Sequence, residues 1–289
     1  LRSDAKALDE VVVTALGIKR SEKILGYAAS TVKNDDLVAA KSGSVMSGLS
    51  GKIAGVNISS SGTAGSSQKV IVRGYSSFSS NQPLYVIDGV PMSNNTSLSN
   101  DQGNGVIAAS DAIDFGNGAN DINPDDVESV TVLKGPNALV AGMSPTGGVG
   151  GVVIANTKRA DKELTRVSAN YDTDGFYKSG FDVARRFGTD QEFGARVSAN
   201  YGQGEHVVDG MEDESFSGVV GLDWTTDKAK VNLDAYVTRD KRDGGSPAMV
   251  SFASLGKVLD APDGKNNYFL NLEGQQEAKY VGLSGEYKL

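Results

Sequence analysis

From about residue 163 to its end the chain alternates apolar and polar residues with a period of two. No other feature limits its fold as much. In "RVSANYDT", Val167, Ala169 and Tyr171 fall on one face and Ser168, Asn170 and Asp172 on the other. "FGARVSANYGQG" repeats the pattern, with Phe193, Ala195, Val197, Ala199 and Tyr201 against Gly194, Arg196, Ser198 and Asn200. "SFSGVVGLDW" sets Phe216, Gly218, Val220, Leu222 and Trp224 opposite Ser217, Val219, Gly221 and Asp223. "KVNLDAYVT" sets Val231, Leu233, Ala235 and Val237 opposite Asn232, Asp234, Tyr236 and Thr238, and "YVGLSGEYKL" continues with Val281, Leu283, Gly285, Tyr287 and Leu289 on one side. Successive strand side chains point to opposite faces, so each segment is a strand with one apolar face. Two architectures meet this pattern. One is a soluble antiparallel sheet with a wet face. The other is the wall of a transmembrane barrel, built from strands of about 10 residues with aromatics near their ends.

Composition narrows the function classes. The formal net charge is -8 without a concentrated basic stretch, which argues against nucleic acid as a partner. The chain has no cysteine, so disulfides and thiolate metal sites are excluded. Its one histidine, His206, lies in the polar turn "GQGEHVVDG", where a solvated side chain is expected rather than a catalytic one. No stretch approaches the roughly 18 to 20 apolar residues of a membrane helix, and the opening "LRSDAKALDE" lacks the apolar core of a signal peptide, as a processed start would. With Gly 36 against Pro 7, tight turns between strands are expected.

The first half reads differently. Residues 1–40 are polar except for the valine run in "LDEVVVTALG", and read as a flexible lead-in ordered on binding. Residues 41–160 read as one compact α/β or α+β unit. "SVMSGLSGKIAG" brings Val45, Met46, Leu49 and Ile53 near one helical face. "GVNISSSGTAGSSQKVIVRG" reads strand, loop, strand, and "QPLYVIDGVP" is a strand closed by an Asp-Gly turn. Residues 92–121 form a long polar segment of the kind that is usually functional. "INPDDVESVTVLKGPNALVAG" reads turn, strand, turn, short helix, and "GGVGGVVIANTKRA" leads into a last strand.

Three of these blocks, in this order, carry a resemblance: "LDEVVVTALGIKR", "LSGKIAGVNISSSGTAGSSQKVIVRGYSSFSSNQPLYVIDGVP" and "INPDDVESVTVLKGPNALVAG". Together they resemble TonB-dependent outer-membrane transporters, most closely the SusC/RagA branch. "GGVGGVVIANTKRA" and the strands after it look more like the start of a ferric-siderophore receptor barrel. The resemblance implies an α+β plug domain followed by antiparallel strands of a transmembrane β-barrel. On that reading residues 1–40 are a flexible segment with a TonB box at 8–17, residues 41–160 are the plug and residues 161–289 are the first barrel strands. A barrel of this family has about 22 strands, far more than residues 163–289 supply. An open sheet edge is not tolerated in lipid, so a fragment of a longer protein is expected.

The same resemblance implies the candidate sites. Asp9, Glu10, Val11, Val12, Val13, Thr14 and Ala15 would add as a strand to the sheet of TonB's periplasmic C-terminal domain. The other reading is a tail strand paired inside its own domain. Arg73, Glu128 and Lys134 would latch the plug to the barrel wall, unless they are ordinary surface ion pairs. Gly74, Asp88, Gly89 and Gly135 read as structural plug turns. "DGVPMSNN" and "NDQGN" offer oxygens but lack the EF-hand spacing, so no metal is assigned. "GGVGG" and "GNGVIA" match neither nucleotide loop, so no cofactor is expected. No carboxylate stands in an apolar context that would raise its pKa, and no enzyme is expected.

The function implied is TonB-dependent import across the outer membrane of a Gram-negative bacterium. The SusC-like plug implies a glycan, oligosaccharide or peptide substrate and a SusD-like surface lipoprotein, with outer-membrane lipid around the barrel. The siderophore-receptor-like strands imply a ferric chelate instead, with lumen-facing aromatics such as Tyr236 available to stack on either class. A non-transporting surface adhesion or assembly protein is the alternative from another class.

Overall fold

A computed structural model describes residues 11–13, 19–21, 28–39, 44–60, 66–75, 81–92, 117, 123–134, 150–172, 174–245, 263–267 and 272–288. Strands β1 (Val11–Val13) and β2 (Lys19–Ser21) pair with each other in a separate two-stranded sheet. The plug follows. Its elements are β3 (Ala28–Lys33), α1 (Asn34–Val38), α2 (Val45–Leu49), β4 (Val56–Ser60), β5 (Gln68–Val72), β6 (Leu84–Ile87) and β7 (Val90–Met92). A 3-10 turn (Pro124–Asp126), β8 (Val127–Lys134) and β9 (Val152–Thr157) complete it. The central sheet runs β3-β8-β9-β6-β7, and β4 pairs with β5 alone.

This sheet is buried on both faces. Val130, Val132, Tyr85, Ile87, Val153 and Ala155 pack against Leu37, Val45, Met46 and Leu49. Leu84, Val86, Leu133, Val152 and Ile154 form a cluster on the opposite face. Double burial explains why "LYVI" is an unbroken apolar run rather than an alternation. The glycine cluster before β9 is explained by close approach of backbones. A Cβ on Gly150 would lie 2.1 Å from the Asn81 carbonyl oxygen, and one on Gly151 (φ +95) 2.6 Å from that of Leu133.

The plug starts earlier than residue 41. β3 pairs with β8 along its whole length, Ala28 opposite Lys134 and Lys33 opposite Ser129. Leu37 of α1 is 0% exposed. The lead-in reading of residues 28–39 is therefore corrected. Their polarity conceals an edge strand whose Thr31 bonds Thr131 across the ladder at 2.9 Å, and whose apolar anchors Val32 and Leu37 are few.

Beyond the plug stand six antiparallel strands in sequence order: β10 (Leu164–Tyr171), β11 (Tyr177–Phe187), β12 (Phe193–Glu205), β13 (Glu212–Thr225), β14 (Ala229–Asp243) and β15 (Gly274–Tyr287). They form an open wall. On β13, Phe216, Val220, Leu222 and Trp224 face outward and are exposed, while Ser217, Val219 and Asp223 face inward and are buried. Phe216 to Trp224 spans about 26 Å along the strand at roughly 3.3 Å per residue, or about 20 Å of height at the usual tilt of barrel strands, which fits within the roughly 25 Å apolar band of outer-membrane barrels. Aromatics border that band. Phe187, Phe193 and Trp224 stand in register at one end. Tyr171 beside Tyr177, and Tyr201 beside Phe216, mark the other.

The turns differ by end. Residues 188–192 and 226–228 join strands tightly beside the Phe187–Trp224 row, where the chain also enters from β9. The β14–β15 connection, residues 244–273, leaves from the opposite end. Barrels of this kind carry short periplasmic turns and longer extracellular loops, so the plug joins the wall at the periplasmic end.

The outward face predicts a depth-dependent cost. Val220→Arg, midway between the aromatic rows, is expected to destabilise the wall by about 2–4 kcal/mol, and Glu214→Arg, beyond the band, by about 0–1 kcal/mol. Urea unfolding of the receptor in lipid vesicles measures both.

Candidate functional site: the seam between plug and wall

The inward face of the wall carries charges that have left water. Arg196 on β12 is 1% exposed. Its Nε and Nη2 donate to Asp182 Oδ1 and Oδ2 of the neighbouring strand at 2.8 and 2.9 Å. Nη2 also donates to Asp126 Oδ1 of the plug at 2.8 Å, and Nη1 to the carbonyl of Lys158 at 3.3 Å. A buried guanidinium is tolerated only when its donors are matched in this way. Asp126 Oδ2 is buried and has no hydrogen-bond partner among the described residues.

The motif "INPDD" positions the plug side of this pair. Asn123 Oδ1 accepts from the Asp125 amide at 3.1 Å and so caps the 3-10 turn. Pro124 supplies the fixed φ of its first residue. The turn then points two side chains at the wall. Asp126 meets Arg196, and the Asn123 amide donates to Ser217 Oγ at 2.9 Å. Ser217 Oγ also accepts from Asn200 Nδ2 at 3.4 Å.

The crossover out of the plug is fastened at three successive residues. The Lys158 carbonyl is held by Arg196. Arg159 forks onto Asp234 of β14 at 3.0 and 2.8 Å. The Ala160 carbonyl accepts from Arg186 at 3.2 Å, and Arg186 pairs with Asp223 at 3.0 Å. Lys158 Nζ turns back to the Asp125 carbonyl at 2.8 Å. Burial, with Arg196 nearby, pushes its pKa down.

Of the proposed turn residues, Asp88 (φ 46) and Gly89 (φ 88) do more than reverse the chain. Asp88 Oδ1 accepts from the Thr157 amide at 2.9 Å and Oδ2 from its hydroxyl at 2.6 Å, which ties the β6 turn to the last residue before the crossover. Burial pushes the Asp88 carboxyl up, and the two bonds from Thr157 oppose that rise. Gly74 has φ 85 in the turn after β5; Gly135 lies outside the described residues.

Of the residues proposed as a latch, Lys134 and Arg73 have their hydrogen-bond partners within the plug. Lys134 donates to Ser30 Oγ at 2.9 Å and to the Ala54 carbonyl at 2.7 Å, both within the plug. Burial, then Arg73, lowers its pKa. Arg73 is exposed with φ 59, its amide bonded to the Gly55 carbonyl at 2.7 Å. Glu128 is exposed on β8, within electrostatic reach of Lys230 of the wall and Arg159 of the crossover. Among the described residues the ion pairs crossing the seam are carried instead by Asp126, Arg159, Arg196 and Asp234, with Arg166 near Asp125 at 3.5 Å. Sequence reading missed them, although Arg196, Asp182 and Asp234 each occupy a polar-face position of an alternating strand.

Two other expectations are revised. Tyr236 faces inward but is 6% exposed, so its ring is covered rather than open for stacking. His206 is not solvated. It stacks on Phe176 with centroids 4.2 Å apart, between Asp172 at 3.7 Å and Asp213 at 3.8 Å, and so joins two neighbouring wall turns. In the leader, Val11–Val13 form a strand, and Asp9, Glu10, Thr14 and Ala15 lie outside the described residues. Within residues 93–121 only Asn117 is described, where it clasps Gln68 through both its amide atoms.

Comparison with known proteins places this geometry. A family model of the TonB-dependent receptor plug domain matches residues 23–149. The chain is 40% identical over 110 residues to the ferrichrome receptor FcuA of Yersinia enterocolitica, covering 37% of this chain and 14% of that protein. It is 34% identical over 173 residues to the TonB-dependent receptor SusC of Bacteroides thetaiotaomicron, covering 59% of this chain and 16% of SusC. The solved ferric preacinetobactin receptor BauA of Acinetobacter baumannii matches with a TM-score of 0.61 at 28% identity, over 81% of this chain and 31% of that one. A solved FpvAI–pyocin S2 complex shares the fold, with a TM-score of 0.71 at 18% identity, over 96% of this chain and 35% of the other. The chain thus spans about a third of the solved receptors and a smaller share of the curated relatives.

Arg196 is the test of the seam. Arg196→Met strands Asp126 and Asp182 together and is expected to loosen the plug by about 3–5 kcal/mol. Asp126→Asn leaves the Arg196–Asp182 fork intact and is expected to lose about 1.5–3 kcal/mol. The urea concentration at which the plug becomes sensitive to trypsin reports the order.

Proposed function

This chain belongs to the TonB-dependent receptors of the Gram-negative outer membrane, and we propose that it serves in energy-coupled import of a substrate. The observation that carries this reading is the seam: a folded plug held against a membrane wall by hydrogen-bonded ion pairs rather than by a shared apolar core. Charge pairs of this kind exchange their partners for water when they part, so a plug held by them yields to a pull without unfolding the wall. The substrate binds on the extracellular side, and residues 92–121 contribute to its site. Its occupancy biases the leader towards TonB through differential affinity for two states. TonB's periplasmic C-terminal domain pairs with Asp9–Ala15 and pulls. The reading asks for no covalent chemistry on the substrate.

For the substrate, the SusC/RagA-like blocks of the plug support a glycan, oligosaccharide or peptide, delivered with a SusD-like lipoprotein. A second reading, a ferric siderophore, is favoured by the similarity to the ferrichrome receptor and by the match to the preacinetobactin receptor over 81% of this chain. Growth under iron limitation against growth on defined glycans separates the two: a deletion strain should fail in one condition only. An adhesion or assembly protein on the same fold would need no leader strand. Deleting residues 8–15 is therefore expected to abolish uptake while leaving folding and membrane insertion unchanged. Unaltered uptake would rule out coupling through this segment.

A further inference from the structure

Two rows of the wall carry the same three residue types in the same order. In the first, Gly194 of β12 stands opposite Arg186 of β11 on one side and Asp223 of β13 on the other. In the second, one strand along, Gly221 of β13 stands between Arg196 of β12 and Asp234 of β14. Both glycines are buried on the inward face. The rows are used differently. Arg186 and Asp223 meet each other at 3.0 Å. Arg196 and Asp234 turn away from each other, to Asp126 of the plug and to Arg159 of the crossover.

The first pair spans a strand. β11 and β13 lie on either side of β12, about 9.5 Å apart, so these side chains touch by passing over it. Gly194 leaves the space. A Cβ there would lie 2.2 Å from Asp223 Oδ1 and 2.8 Å from Arg186 Nη1. Over Gly221 a Cβ would meet only Asp234 Oδ1, at 3.6 Å, an ordinary contact. We propose that Gly194 is a positioning residue of the seam: the recess it leaves lets Asp223 reach across β12 and aim Arg186 at the Ala160 carbonyl, where the crossover is held. Arg186 Nη1 makes both contacts, to Asp223 and to Ala160. Its other nitrogens hold the carbonyls of Gln191 and Glu192 in the wall's own turn. With Asp223 displaced, Arg186 stays on that turn and the crossover loses its aimed donor. This role rests on the seam reading of plug retention, whichever substrate is carried. Glycine weakens a strand interior, so alanine without a steric conflict is expected to be neutral or stabilising. At position 194 the sign reverses.

The full-length receptor in lipid vesicles gives the test, through two readouts in urea: the concentration at which the plug becomes sensitive to trypsin, and that at which the wall unfolds. Gly194→Ala is expected to lower the first by roughly 1 M and to leave the second unchanged. Gly221→Ala, on the same face between the same residue types, is expected to lower neither. In an Asp223→Ala background the recess is empty, and Gly194→Ala is expected to add nothing, because it acts through the carboxylate. A plug threshold for Gly194→Ala equal to the parent's overturns the proposal. So does a fall in both readouts together, an equal loss in Gly221→Ala, or an additive loss in the Asp223→Ala background, each the mark of a general strand defect. Should Gly194→Ala not insert, insertion of the Gly194→Ala/Asp223→Ala pair supports the recess and its failure overturns it. Arg196→Met separates the two readings: if it leaves the plug seated, the seam reading fails at Arg196, while the Gly194 comparison still decides the recess.

Discussion

A charged group withdrawn from water must be met by other charges, and in this molecule Arg196 sets the terms. A barrel wall satisfies its backbone by pairing strands, because lipid offers no hydrogen bonds. Its outward side chains are then apolar and its polar residues are driven inward. Arg196, Asp182, Asp223 and Asp234 end up on a face covered by the plug. The plug answers with Asp126 and the crossover with Arg159. Membrane residence and plug seating are thus consequences of one alternation: the residues that keep the wall in lipid expel the residues that hold the plug.

How much of this was legible follows from the range of each interaction. The alternation is local, so the β10–β15 faces could be read from the sequence, and the short burial runs of β5, β6, β8 and β9 nearly so. Asp88 and Gly89 were legible because a turn with positive φ restricts residue type at the turn itself. The seam was not. Arg196 and Asp126 are 70 residues apart, and Arg159 and Asp234 are 75 apart. No local pattern tells an inward-facing Asp that meets a plug from one that meets water. β3 was lost for the opposite reason. Its burial is supplied by a neighbour 100 residues away, through Thr31 and Thr131, and not by its own composition. Lys134 was singled out as a latch to the wall, but its partners Ser30 and Ala54 lie on the plug side.

Those partners give Lys134 a place in the path of force. A pull on the leader reaches the plug at Ala28, the first residue of β3, which stands opposite Lys134. That end of the ladder is loaded first. There Lys134 ties Ser30 of β3 to the carbonyl of Ala54. Its pKa is lowered by burial of the ammonium group and then by Arg73 nearby. Load that passes this point runs along the β3–β8 pair to the start of β8, where Val127 follows Asp126 directly. Leader and latch are therefore joined through a single strand pair.

The bonds at the latch are unequal, and the inequality fixes where the seam parts. Arg196 holds Asp182 with two hydrogen bonds from within the wall and Asp126 with one from the plug. When Asp126 leaves, the guanidinium stays paired, so the wall keeps no orphaned charge. Asp126 leaves with an oxygen that had no partner among the described residues even in the seated state, and water satisfies it at once. The crossover is different. Lys158, Arg159 and Ala160 are each bound to a different wall residue, and Asp88 braces Thr157 behind them. A load entering at β3 thus meets the Asp126–Arg196 bond, with the Asn123–Ser217 bond and the Arg166–Asp125 pair beside it, before it meets the threefold anchor. On the import reading proposed above, the seam is expected to part at the Asp126 side first, with residues 158–160 as the pivot.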